Sequence, residues 1–109
     1  MNKIRHTGLV TNNLRKSIFF WCKILKFKIK KRSIETGNLI DKIMEYNLVK
    51  VETIKLSDET GMLLELLNFK NAPIKKKKLI KPYTNGFTHI SITVKNINKI
   101  YKRLRKIKI

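Results

Sequence analysis

With 109 residues, the chain is long enough for one small domain with a single hydrophobic core and too short for two. Hydrophobic residues make up 42% of it, which favours folding over disorder. The 26 Lys and Arg residues against 7 Asp and Glu give a formal net charge of +19, which should attract anionic ligands at low salt and nucleic acid non-specifically. An AT-rich coding sequence would give the same excess of Lys, Ile and Asn without selection for any partner, and we favour that explanation.

Cysteine content and hydropathy restrict the cellular setting. The single cysteine, Cys22, excludes an internal disulfide and is typical of a reducing compartment. It falls in a predicted amphipathic helix, where we expect a buried and unreactive thiol. No apolar segment is long enough to span a bilayer, and the basic start has no apolar run behind it. We therefore expect no signal peptide, no membrane association and a cytoplasmic location.

The first third of the chain predicts a strand, a helix and a second strand. Residues 4–11 read as a strand, and Asn12-Asn13 offers a helix N-cap. Apolar residues then recur at helical spacing over 14–25. Alternation over 27–32 predicts the second strand, with lysines on one side and apolar residues on the other.

The middle third predicts two more strands. Residues 35–38 read as a loop, and the apolar positions in 39–44 predict a short helical turn or an irregular apolar plug. Residues 48–56 predict a third strand, in which a change of apolar phase indicates a bulge. Residues 61–69 follow a turn-like segment and predict a buried fourth strand.

The last third begins with a linker. Residues 70–85 contain both prolines and a four-lysine run at 75–78, which could bind phosphate but is more simply a solvated linker. Clean alternation over 87–94 predicts a strand. Asn96 is a candidate N-cap for a helix from Ile97 to Ile107.

Glu65 is an acidic residue in the middle of the predicted fourth strand. An ionised carboxylate among leucines costs several kcal/mol unless it is paired, protonated, bound to a metal or turned to water. Because side chains alternate along a strand, Leu64 and Leu66 should pack on one face while Glu65 looks out from the other.

The chain's two histidines occupy equivalent positions of an internal repeat. Residues 6–16 align with 89–99 without a gap: each stretch is a predicted strand beginning at His, then an Asn cap, then an amphipathic helix. Two residues beyond each His lies a small residue, Gly8 or Ser91, which leaves space beside the imidazole. His6, His89 and Glu65 together predict a two-histidine, one-carboxylate site, a donor set that suits Fe, Mn, Co, Ni or Zn.

Four segments together resemble the glyoxalase/bleomycin-resistance/extradiol-dioxygenase family, the vicinal oxygen chelate superfamily. They are IRHTG at 4–8, SIFFWCKILKF at 17–27, DETG at 58–61 followed by Glu65-Leu66, and GFTHI at 86–90. The order and spacing of these segments are similar to the family's pattern. One departure is Lys26, which stands where the family usually has Gly, so that turn must either avoid positive φ or accept modest strain.

The resemblance implies an α+β fold of βαβββ modules whose curved sheets surround a metal. The first module would span 1–69, a basic linker 70–85, and the opening strand and helix of a second, incomplete module 86–109, forming one structural domain overall. His6, Glu65 and His89 fall on the first three ligand positions for a divalent ion (Ni, Co, Zn, Mn or Fe). The family's fourth ligand, a Glu that also serves as catalytic base, has no counterpart here, so the catalytic residues stay unassigned and we expect weak or no turnover.

Function follows from the same resemblance. It implies a lyase or isomerase of the glyoxalase I or epimerase type, acting on a small carbonyl or anionic substrate through a metal-stabilised enediolate. The incomplete second module would leave an exposed sheet edge and apolar surface, so we expect a homodimer. The alternatives are a metal-free small-molecule-binding module of the resistance type, a dioxygenase-type member, or a polyanion binder that rests on net charge alone.

Overall fold

A computed structural model describes residues 1–73 and 80–107. The chain forms two compact units, Met1–Pro73 and Ile74–Ile109, which are described separately. The four-lysine run at 75–78, predicted as a solvated linker, lies outside the described residues. Within the described ranges, no helix is both long and apolar enough to cross a membrane.

The first unit is a four-stranded mixed sheet with the predicted βαβββ topology. Its strands are β1 (His6–Val10), β2 (Lys28–Glu35), β3 (Val51–Ser57) and β4 (Leu63–Phe69), in the spatial order β1-β4-β3-β2. β1 pairs parallel with β4, while β4–β3 and β3–β2 are antiparallel. The predicted α+β fold class and all four strands of the first module are therefore confirmed.

The connection from β1 to β2 is helical, as predicted, but only its first part is α-helix. Helix α1 (Leu14–Ile18) continues into a π-helical segment, Phe19–Ile24. The Asn13 side chain caps α1 by accepting a hydrogen bond from the Lys16 N–H at 3.0 Å. A short helix, α2 (Asn38–Met44), joins β2 to β3. Of the two alternatives predicted for residues 39–44, a helical turn or an irregular apolar plug, the helical turn is confirmed.

The core lies against one face of the sheet, here called the leucine face. It is formed by two register pairs, Ile54 with Leu66 and Leu56 with Leu64, all of them buried. Trp21 and Ile24 of the π-helical segment are also buried, and α1 contacts β4. Trp21 additionally makes edge-to-face ring contacts with Phe20 and Phe27.

The opposite face, here called the Glu65 face, carries the polar positions. Its members alternate with those of the leucine face along each strand. They are His6 and Gly8 of β1, Leu63, Glu65 and Leu67 of β4, and Val51, Thr53, Lys55 and Ser57 of β3.

The bulge predicted in the third strand is instead in β2. β3 pairs with β4 in one unbroken register, whereas the β2–β3 register shifts between Ile29 and Lys31. The change of apolar phase in β3 has another cause. β3 lies between two strands and is buried on both faces, with Val51 on the Glu65 face and Ile54 on the leucine face.

Of the two outcomes expected for the turn at Lys26, the structure shows the strained one, with a positive φ. Lys26 has φ 64°, in the left-handed region where a residue with a Cβ is disfavoured. The backbone therefore keeps the turn that glycine usually makes, although the side chain is that of lysine.

The second unit contains α3 (Ile97–Lys106), which begins at the predicted cap: the Asn96 side chain accepts from the Lys99 N–H at 3.0 Å. The strand predicted over 87–94 was wrong, since no residue of that stretch is in a strand. A strand needs a hydrogen-bonded neighbour, and the described residues give this segment none. The exposure of the side chains still alternates along this segment, because Ile92 and Val94 are half-buried while Ser91 and Thr93 are exposed.

The β3–β4 turn depends on Asp58, and this gives a pH prediction. The Asp58 carboxylate accepts hydrogen bonds from Thr60 Oγ1 at 2.7 Å, the Thr60 N–H at 2.8 Å and the Met62 N–H at 3.0 Å. The Thr60 hydroxyl first, and then these backbone N–H groups, hold the pKa of Asp58 below its usual value.

Because the folded-state pKa is the lower one, the carboxylate stabilises the fold at every pH above its unfolded pKa of about 3.9. That stabilisation is lost as pH falls through the folded-state pKa. We expect Asp58→Asn to lower the melting temperature at pH 7, by an amount that shrinks as the pH falls through the folded-state pKa of Asp58. Glu59→Gln removes the same charge one residue away and should have little effect; an equal loss in both variants would contradict the account.

Candidate functional site

Glu65 lies at the centre of β4 with its side chain mostly covered by protein. Its side chain is 14% exposed, while its neighbours Leu64 and Leu66 are buried on the other face. The alternation predicted for this strand is therefore confirmed. The sequence analysis required this carboxylate to be paired, protonated, bound to a metal or turned to water, and the structure places it near His6.

His6 is the residue that faces Glu65. It is the first residue of β1, in register with Leu63, so it lies one diagonal step from Glu65 on the same face. His6 Nε2 lies 3.8 Å from Glu65 Oε1, and the imidazole is 35% exposed. This separation is too long for a hydrogen bond. The two atoms therefore lie close together on one face of the sheet without a hydrogen bond between them.

The separation suits two ligands of one metal ion. Bonds of about 2.1 Å, typical of zinc to nitrogen or oxygen, place two ligands of a tetrahedral ion about 3.4 Å apart. The Nε2–Oε1 distance of 3.8 Å is about 0.4 Å longer, so the two side chains would move slightly closer to hold one ion. An imidazole nitrogen and a carboxylate oxygen also match the donors that such ions prefer.

Gly8 has no side chain and therefore leaves space on the Glu65 face of β1. It lies directly opposite Glu65 in the β1–β4 register. A Cβ at this position would come within 3.2 Å of Leu67 Cδ1, which is tighter than ordinary packing. A side chain here would crowd Leu67 and fill space next to the carboxylate, so the small residue expected after His6 has a structural reason.

Lys55 is a site residue that the sequence analysis did not identify. It pairs with Glu65 across the β3–β4 register, is half-buried, and shares the Glu65 face. Its position could have been found from the alternation of β3, because Lys55 lies between the two core residues Ile54 and Leu56 and must face away from them. Among the described residues Lys55 forms no ion pair with Glu65, so what it adds is a positively charged side chain on the same face of the neighbouring strand.

His89 belongs to the second unit. It is exposed, and its Nδ1 is hydrogen-bonded to Thr88 Oγ1 at 2.8 Å. Over residues 1–73 and 80–107, no group of three or more His, Cys, Asp or Glu side chains is arranged to hold a metal. The structure therefore brings together two of the three predicted ligands, and His89 as the third stays a prediction.

Cys22 has the character of an unreactive thiol. It is half-buried within the π-helical segment. Burial raises its pKa above the usual value, and the nearby Lys23 only partly opposes that effect. The thiol stays protonated at neutral pH, so a nucleophilic role for Cys22 is disfavoured.

The βαβββ sheet of the first unit is the fold that the resemblance to the vicinal oxygen chelate superfamily implied. The family model described as "Glyoxalase/Bleomycin resistance protein/Dioxygenase superfamily" matches residues 3–109. The chain belongs to this superfamily.

Solved structures show the same fold. A glyoxalase family protein from Bacillus cereus is similar with a TM-score of 0.85 and 18% identity, over 97% of this chain and 72% of that one. The protein SMU.1112c is similar with a TM-score of 0.64 and 14% identity, over 97% of this chain and 74% of that one. No curated protein matches the sequence.

Proposed function

We propose that the chain is a metal-dependent glyoxalase-superfamily protein of the lineage that isomerises or cleaves small carbonyl compounds. The observation that carries the proposal is the His6–Glu65 pair, with Nε2 and Oε1 3.8 Å apart on one face of the sheet. His6 and Glu65 would hold a divalent ion (Ni, Co, Zn, Mn or Fe), and His89 would be the third ligand.

A divalent ion bound there would supply a Lewis acid for the vicinal oxygens of a carbonyl substrate. The chain's own residues have separate tasks. His6 offers an imidazole nitrogen and Glu65 an anionic oxygen, both on backbone fixed by strand pairing. Gly8 leaves room beside them, and Lys55 adds a positive charge that favours an anionic substrate.

A second candidate is a metal-free module that binds a small molecule, as in the resistance-type members. It is favoured by the small number of donors within the first unit itself, where over residues 1–73 no third His, Cys, Asp or Glu side chain joins His6 and Glu65. Two donors alone hold a metal weakly, because catalytic sites normally use three protein ligands. A dioxygenase-type role shares the metal requirement, and a specific response to Fe would favour it over the lyase or isomerase role.

A metal titration followed by thermal melting separates the two candidates. Binding to the folded state alone stabilises by about 2.7 kcal/mol at a free metal concentration 100 times Kd, which raises the melting temperature by several degrees. We expect this rise with at least one of Ni, Co, Zn, Mn or Fe. His89→Ala should reduce it if His89 is the third ligand, whereas Asn98→Ala, on the exposed surface of α3, should not.

The remaining expectations rest on sequence and superfamily. A homodimer and a cytoplasmic location belong to this proposal as expectations. The +19 net charge predicts non-specific, salt-sensitive binding to polyanions, which does not require a nucleic-acid function. A melting temperature that does not respond to any of these metals would favour the metal-free module.

A further inference from the structure

A basic cavity of about 480 Å³ opens at one end of the first unit's sheet. It is enclosed by the start of β2, the turn before it, and the β3–β4 turn. The lining residues are Lys26, Lys28, Lys30, Ser57, Asp58, Glu59, Gly61 and Leu63. Three lysines therefore surround one small volume.

The cavity and His6 lie along one cross-strand row of the sheet. Ser57 and Leu63 are opposite each other in the β3–β4 register, Leu63 is opposite His6, and Ser57 is opposite Lys28. A single cross-strand row thus runs from His6 to Lys28. Strands are spaced by about 4.8 Å, so the lysine end of this row lies roughly 10–15 Å from the histidine end.

The cavity's charge is available to a ligand. Asp58 is also in the lining, but its carboxylate is occupied by the hydrogen bonds from Thr60 and Met62. Over residues 1–73 and 80–107, the ion pairs are His6–Glu65, Arg32–Glu52 and Lys70–Glu52, and none of them includes a cavity lysine. Three ammonium groups against Asp58 and the exposed Glu59 leave a net positive site.

Backbone geometry provides two further observations at the same place. Lys26 holds φ 64°, a conformation that glycine would adopt without strain, and its side chain lines the cavity. Strained residues of this kind cluster at functional sites. Next to it, the β2 bulge inserts Lys30 as an extra residue in the β2–β3 register, and bulges are common beside binding sites, where they redirect side chains.

We infer that this cavity binds the phosphoryl group of a small ligand. Lysine ammonium groups act as point charges for phosphate, and the three lysines that line this cavity form no ion pair among the described residues. Resting on the proposed function, the substrate is then a phosphorylated carbonyl compound, with its phosphoryl group at the lysines and its reacting end near His6 and Glu65. The anion site itself requires no metal, so it can be tested separately.

The test is an NMR titration of the metal-free protein with inorganic phosphate at 150 mM NaCl, which screens general charge attraction. We expect saturable shifts at the amides of Lys26, Lys28 and Lys30. The double variant Lys28→Gln/Lys30→Gln should bind phosphate at least about tenfold more weakly. The control Lys16→Gln/Lys42→Gln removes the same charge from exposed helix positions and should stay within about twofold.

Lys26→Gly gives a second test, because losing the charge should lower phosphate affinity while relieving the strain should not lower the melting temperature. It should weaken phosphate binding severalfold while leaving the melting temperature equal or higher, because glycine relieves the positive φ. Non-saturable shifts, equal losses in the two double variants, or acetate binding as tightly as phosphate would overturn the inference. None of these outcomes would affect the metal proposal, which depends on His6 and Glu65.

Discussion

Glu65→Gln and His6→Ala are each expected to weaken divalent metal binding by about 100-fold or more. Replacing residues that only support a ligand costs 10–100-fold in affinity, so losing a ligand itself should cost at least as much. Each variant removes one of two donors whose atoms are 3.8 Å apart. Isothermal titration calorimetry with the metal that gives the largest thermal shift measures the change.

Glu52→Gln is the matched control for Glu65→Gln. Glu52 is also a half-buried strand carboxylate, with a side chain 18% exposed against 14% for Glu65, but it lies on the leucine-face side and is paired with Arg32 and Lys70. Its replacement should leave metal affinity within about twofold. Equal losses in the two glutamate variants would show that affinity follows net charge, not the His6–Glu65 site.

Leu56→Ala is expected to destabilise the first unit by about 2–5 kcal/mol. Leu56 is fully buried at the centre of the leucine face, opposite Leu64, so its truncation removes apolar contact and leaves a cavity. Leu39→Ala makes the same chemical change on α2, where Leu39 is 74% exposed. Its expected cost is within about 0.5 kcal/mol.

Urea unfolding followed by tryptophan fluorescence reports on this difference, since Trp21 is the only tryptophan and is buried in the same core. The quantity compared is the urea concentration at the unfolding midpoint, provided that the dependence of the unfolding free energy on urea (the m-value) is the same in both variants. Equal midpoints for Leu56→Ala and Leu39→Ala would contradict this expectation and show that packing on the leucine face does not stabilise the sheet.

The first unit could be predicted from sequence because its signals are local. The alternation around Glu65 separates a buried leucine pair from an outward carboxylate, and the structure keeps that separation. The Asn13 and Asn96 caps are equally local, since each side chain bonds to an N–H three residues later. The His6–Glu65 proximity required one further step, the superfamily resemblance, which implied that both residues are ligands of one metal; the structure accounts for it by pairing β1 with β4.

Features that depend on distant partners were not predictable in this way. The segment 87–94 has a strand's alternation, but alternation does not supply the neighbouring strand that hydrogen bonding requires. The change of phase in β3 was interpreted as a bulge because its burial on both faces depends on where its neighbours lie. The face of Lys55 follows from the alternation of β3, but its position opposite Glu65 depends on the β3–β4 register.

The central claim is that His6 and Glu65 hold one metal ion, and nitrogen NMR of the imidazoles tests it most directly. Adding one equivalent of Zn²⁺ should move the His6 Nε2 resonance to the position of a metal-bound imidazole, and Glu65→Gln should prevent that change at the same concentration. If His6 Nε2 keeps its metal-free resonance at saturating Zn²⁺ and the melting temperature responds to none of Ni, Co, Mn or Fe, the pair is not a metal site and the proposed function fails.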